Sequence, residues 1–139
     1  MEHECGDDIG VRLGGPQGWV RLWNRTHPHG DDMVAFCIEL GGDGMTAVAH
    51  GVVVAGESPA AFVEGLAASF EGWSGVRAWQ NLDRDVRIEA VFEPGGHVDL
   101  TWTVEPWRER YSWAASVTVK GVEAGEQMRR LAADLRELL

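Results

Sequence analysis

Three segments in the second half of the chain alternate apolar and polar residues with a period of two. Val86, Ile88, Ala90 and Phe92 fall on one face, Val98, Leu100, Trp102 and Val104 on the next, and Trp113, Ala115, Val117 and Val119 on a third. Asp99, Thr101, Thr103 and Glu105 point the opposite way. Side chains repeat every second residue only in extended strands, and one dry face beside one wet face belongs to antiparallel sheets. Pro94-Gly95-Gly96 supplies the turn between the first two segments, and the third runs over 111–120. An antiparallel meander is the one simple architecture that satisfies all three segments.

The rest of the chain fits beside such a sheet. Ile9–Leu13 and Trp19–Trp23 read as short strands around Gly14-Gly15-Pro16, and Asn24–Asp32 reads as a polar loop. Met33–Leu40 places Val34, Phe36, Ile38 and Leu40 on one face, and Gly41-Gly42-Asp43-Gly44 turns the chain into a partner strand at Met45–Val54. Ser58 and Pro59 open a helix as N-cap and first residue, with a stripe of Phe62, Val63, Leu66, Ala67 and Phe70. Val76–Leu82 is a further strand. The last helix spans about Ala124–Leu139, with Met128, Leu131, Ala132, Leu135 and Leu138 at helical spacing and Glu123 and Glu126 near its positive end. The expected fold class is α+β, a two-layer antiparallel meander of about six to eight strands with both helices on one face. Residues 1–8 lack apolar periodicity and are expected to be a mobile tail, with one domain over 9–139 and no internal repeat.

Composition narrows the function. The 139 residues carry a formal charge of −10, which disfavours binding to phosphate backbones and favours a basic partner. Solubility alone also accounts for such a charge. No apolar run is long enough to cross a membrane, and the acidic start, Met1-Glu2-His3-Glu4-Cys5, is unlike a secretion signal. The expected location is therefore cytoplasmic, where Cys5 and Cys37 are expected as reduced thiols, although a disulfide between them stays open.

No catalytic constellation stands out. His27-Pro28-His29 with Asp31 and Asp32 gathers imidazoles and carboxylates in one loop, a weak metal candidate centred on His27, His29 and Asp31. Zinc needs three or four ligands converging from ordered positions, and a Pro- and Gly-containing surface loop is the plainer reading. There is no Gly-x-Ser-x-Gly elbow and no phosphate loop. Glu89, Asp99 and Glu105 are better explained by a solvated sheet face than by acid–base chemistry. Trp73 and Trp79, two of seven tryptophans, flank a glycine-bracketed turn; they either wall a ligand groove or plug one end of the core. Trp107, beside Pro106, is the tryptophan expected to be exposed as a contact anchor.

Gly72-Trp73-x-Gly75-x-x-x-Trp79, Gly96-His97-Val98-x-Leu100, Trp113 and Glu123-Ala124-Gly125-Glu126-Gln127 together resemble an actinobacterial domain-of-unknown-function family, number 6228. The resemblance covers about residues 30–139 and implies a fold but no activity. The chain is also distantly similar, in order of elements, to immunity proteins that neutralise wall-associated contact-dependent toxins. The expectation that follows is a non-catalytic protein-binding domain without a cofactor, an immunity-type inhibitor of a basic toxin domain. Asp31, Asp32, Asp43, Asp99, Glu105 and Trp107 are the expected contacts. The alternatives are a small-ligand or metal-binding enzyme using the His27–Asp32 loop or the Trp73/Trp79 groove, and an assembly subunit.

Overall fold

The computed structural model describes residues 10–139 apart from 28, 29, 31, 55 and 107–112. In chain order the elements are β1 (Val11–Gly15), β2 (Gly18–Thr26), β3 (Met33–Gly42), β4 (Met45–Val54), α1 (Pro59–Ala68), β5 (Val76–Gln80), β6 (Val86–Glu93), β7 (His97–Val104), β8 (Ala115–Glu123) and α2 (Glu126–Leu138). The fold is α+β. Its eight strands divide into two four-stranded antiparallel meanders, β1-β2-β3-β4 and β5-β6-β7-β8, rather than running as one sheet. The interruption is α1, which carries the chain away from β4 before the second meander begins. The order of four strands and a helix therefore occurs twice, a repeat of elements that no repeat of residues announces.

The alternation read in the sequence sets the faces. Val34, Phe36, Ile38 and Leu40 of β3 line up with Leu22 and Val20 of β2 and are buried, as are Ile88, Ala90, Val98, Leu100, Trp102 and Val104 of the second sheet. Both dry faces enter one core with Val63, Leu66 and Ala67 of α1 and Met128, Leu131, Ala132 and Leu135 of α2. Burying each Val, Leu, Ile or Met among these contributes about 1.5–3 kcal/mol. The two helices pack on each other, α2 also touches β1 and β8, and β8 approaches β2 and β3. The approach is close: a β-carbon on Gly18 would stand 2.9 Å from the Thr118 carbonyl oxygen.

Several local expectations shift. Gly41 and Gly42 belong to β3, leaving Asp43-Gly44 as the two-residue turn; Gly44 has φ of +82°, as the tight hairpin requires. Gly41 is glycine because the Trp19 ring lies over it, where any β-carbon would collide. The first hairpin turns at Pro16-Gln17, since β1 continues through Gly15. Phe70 lies beyond the end of α1 and is 53% exposed, so it is not part of the buried stripe. Trp113 precedes β8 and is exposed rather than inward. Cys37 is wholly buried and disulfide-bonded, against the expectation of a reduced thiol; Cys5 lies outside the described residues.

The helix starts follow their sequence signals. Ser58 Oγ accepts from the Ala60 amide 3.1 Å away, with Pro59 in the first turn. At α2 the cap is reciprocal: Glu123 accepts from the amides of Gln127 and Gly125, and the Gln127 side chain accepts from the Glu123 amide. This arrangement is a variant of the capping box and holds the Glu123 carboxyl below the usual glutamate range.

The chain's one buried polar side chain among the described residues is Asn81, 1% exposed. Its Nδ2 donates to the Val52 carbonyl of β4 (3.1 Å) and to the Asp85 carboxylate, and its Oδ1 accepts from the amides of Asp85 (3.0 Å) and Val86 (3.1 Å). One side chain thus closes the β5–β6 turn and ties it to the other sheet. An unsatisfied buried polar group costs about 1–3 kcal/mol, and Asn81→Ala strands several at once. The expected loss is about 3 kcal/mol in urea unfolding; a loss within experimental error of zero would mean the tie contributes nothing.

Candidate protein-binding face

β7 lies inside the second sheet, with β6 and β8 on either side, so its outward residues are presented on a paired, rigid framework. Thr101 stands opposite Thr118 and Thr103 opposite Ser116, and each pair of hydroxyls is hydrogen-bonded at 2.8 Å. On the other flank Glu89 faces Thr101 and Arg87 faces Thr103. Arg87 and Glu89 form an exposed ion pair at 3.5 Å, a contact that adds little stability. Glu93, Asp99 and Glu123 extend the anionic character toward one end, against Lys120.

Asp99 has a second task. Its Oδ1 accepts from the Gly121 amide at 3.0 Å, where β8 slips out of register between the partners of Val98 and Leu100. The carboxylate holds this bulge in place, and the bulge lets β8 run on to Glu123 and α2. Glu105 follows β7, and its amide donates to the Asp85 carbonyl at 2.9 Å. Asp99 and Glu105 are six residues apart on an extended chain, about 20 Å. Asp32 and Asp43 are both exposed and bracket β3 of the other sheet, about 35 Å apart by the same rise. The structure therefore spreads these carboxylates over two sheets instead of gathering them. Asp31 and Trp107 lie outside the described residues.

The Trp73/Trp79 segment is filled by its own neighbours. Trp73 meets Phe92 edge-to-face with centroids 5.3 Å apart, and the Arg77 guanidinium lies 4.6 Å from the Trp73 ring centre. Arg77 also donates to Ser69 Oγ at 2.8 Å, and Trp79 Nε1 donates to the Glu57 carbonyl at 3.2 Å. Both rings pack on the core and fix the ends of α1 to β5. The His27 ring nitrogen Nδ1 lies 3.2 Å from the Met33 carbonyl oxygen. His29 lies outside the described residues, and among those described no cluster of His, Cys, Asp or Glu is placed to hold a metal ion.

The outer face of the first sheet has a different chemistry. Arg12 stacks on Trp19 (4.7 Å) and Arg21 on Trp23 (3.9 Å), with Arg21 also 3.8 Å from Glu39. Elsewhere, a cleft of 570 Å³ separates the β1–β2 turn from β8, and an open groove of 540 Å³ runs between α1 and α2 beneath a Glu64–Arg136 ion pair. The pairing with Arg136 holds the Glu64 carboxyl below its ordinary range.

Asn81 and Asp85 escaped the sequence reading. The sequence pattern put Asn81 and Leu82 inside the strand Val76–Leu82, whereas β5 ends at Gln80, and Asp83-Arg84-Asp85 looks like any hairpin loop. Burial pushes the Asp85 carboxyl above the usual aspartate range, the Asn81 hydrogen bond pulls it back, and Asp83 adds to the upward push.

The model of a family of unknown function, DUF6228, matches residues 11–139. The chain belongs to this family. The DUF6228 match opens on the first residue of β1 and takes in both meanders and both helices, hence the whole hydroxyl face. No curated protein and no solved structure matches the chain.

Because its folded carboxyl is raised, Asp85 contributes most below the ordinary aspartate value and loses that contribution as pH climbs through the raised folded value. Asp85→Asn keeps the acceptor for Asn81 but carries no charge. Its melting temperature relative to wild type should rise from acid to neutral pH and then level off. A difference that stays constant across the series would refute the assignment.

Proposed function

We propose that this DUF6228 chain is a non-catalytic binding domain that receives a basic protein on the outer face of the β5–β8 sheet. The observation that carries the reading is the row of paired hydroxyls, Thr101 with Thr118 and Thr103 with Ser116, set beside carboxylates on an open sheet. Hydroxyls can donate or accept, so they suit a partner's arginine, lysine or backbone groups. The strands hold them in place before contact, which lowers the ordering cost of association. The charge of −10 draws a cationic surface toward the chain over distances set by ionic strength.

The specific version is immunity-type neutralisation of a basic toxin domain, supported by the resemblance in element order to immunity proteins. Its first test is co-expression with any candidate toxin encoded beside the gene, which should be bound and neutralised. Thr118→Arg and Ser116→Arg, both on exposed positions of β8, place cations where the partner's cations would sit. Like-charge juxtaposition at an interface costs several kcal/mol, so each change should abolish capture in calorimetry while leaving the melting curve unchanged. Affinity should also fall as salt rises. Binding that survives both variants would place the interface elsewhere.

The same reading keeps the chain in the cytoplasm. The cytosol disfavours disulfides, so the bond at wholly buried Cys37 counts against that location. Alkylation of freshly lysed cells in denaturant should label Cys37 if the location is right; a Cys37 protected until a reductant is added would argue for an oxidising compartment.

A further inference from the structure

Each four-stranded sheet has two edges, and on three of the four another part of the chain approaches or occupies the edge backbone. α2 packs along β1. Asn81 Nδ2 occupies the Val52 carbonyl of β4, and the Glu57 amide occupies that of Val54 at 3.0 Å. The β1–β2 hairpin closes on Thr118 of β8. The fourth edge is β5.

The direction of its backbone groups follows from the register. The Asn81 amide donates to the Val86 carbonyl at 3.1 Å, so Trp79 and Arg77, opposite Ile88 and Ala90, also bond to β6. Val76, Ala78 and Gln80 then direct their N–H and C=O groups away from β6. Among the described residues no backbone hydrogen bond outside the sheet reaches them. Natural edges are blunted by charge, proline or bulges. β5 has an uninterrupted register and no proline, and its one charge, Arg77, is turned onto Trp73. Its outward residues are neutral, and Val76 (57%) and Leu82 (70%) are exposed at its ends; the Leu82 amide is taken by Glu57 Oε1 at 3.0 Å, so the free edge runs over Val76–Gln80.

We propose that β5 pairs antiparallel with β5 of a second copy of this chain, about a two-fold axis at Ala78, joining two four-stranded sheets into one of eight. The strand complements itself in this register. Val76 meets Gln80 of the second copy, Arg77 meets Trp79, and Ala78 meets Ala78, so no like charges oppose each other. Leu82 of the second copy comes diagonal to Val76, which covers the two exposed aliphatics at each end. The hydroxyl faces of both copies then lie on the same side of one continuous sheet. The inference concerns assembly and stands apart from the partner-binding reading.

The test is the solution mass of the full chain by light scattering on a sizing column. Wild type should show twice the 15.2 kDa of one chain. Ala78→Pro removes an outward N–H without touching a bond to β6, and Ala78→Lys sets two cations on the axis. Both should run as single chains with circular dichroism like that of wild type; should Ala78→Pro fail to fold, Ala78→Lys decides. Thr118→Arg, far from β5, should keep the doubled mass while losing the partner, which separates the two proposals. A wild type of single-chain mass overturns the proposal, even if β5 takes up an extended segment of another protein. So does a folded Ala78→Lys that keeps the doubled mass.

Discussion

Each meander has one dry face, and neither can bury that face alone. A four-stranded sheet needs a second layer, and here both sheets use the same one, the packed pair α1 and α2. Val63 and Leu66 from one helix and Met128, Leu131 and Leu135 from the other are buried in a single cluster with Ile38, Leu40, Leu100 and Trp102. The shared layer explains the element order. A strand set followed by a helix occurs twice because each sheet supplies one of the two helices that both require.

Two sheets that share a core must part somewhere, and where they part the backbone is at risk of losing its partners in a low-dielectric interior. Asn81 sits at that boundary. Its amide supplies a donor to β4 and acceptors to the β5–β6 turn, and Asp85 completes the set at the cost of a carboxylate that burial makes harder to ionise. A hydrophobic residue there would leave the Val52 carbonyl and two amides unanswered. The opposite boundary, between the β1–β2 hairpin and β8, is handled without side chains: Gly18 lets the two backbones come close.

Period-two alternation makes the strands legible, and it alone places Val98, Leu100, Trp102 and Val104 on the buried face. The capping signal does the same for Ser58, whereas the sequence offers Glu123 only as an acid near the positive end of α2, and its reciprocal cap with Gln127 comes from the structure. Alternation says which face a residue takes but not which strands share a sheet, so the division into two meanders was invisible. Trp113 and Phe70 were misplaced for a related reason. Each continues the pattern of its element by one step, and nothing local records that the element has already ended. The candidate face was half legible: Asp99, Thr101, Thr103 and Glu105 were read as outward, but their hydroxyl partners on β8 depend on register. The bulge that Asp99 holds shifts that register by an amount no residue pattern encodes.

The two outer faces show why net charge alone cannot choose a binding surface. Both belong to the same acidic chain, yet on the first sheet the guanidinium groups of Arg12 and Arg21 sit over the Trp19 and Trp23 rings, so cations and indole faces are already engaged with each other. A partner arriving there would meet cation–π contacts already made, and Trp23, 4% exposed, offers it almost no free surface. On the second sheet the hydroxyl pairs also satisfy each other, but each oxygen keeps lone pairs for a further donor. In the proposed function the long-range field would bring a cationic partner near the chain, and the spare hydrogen-bonding capacity of Thr101, Thr103, Ser116 and Thr118 would decide which face holds it.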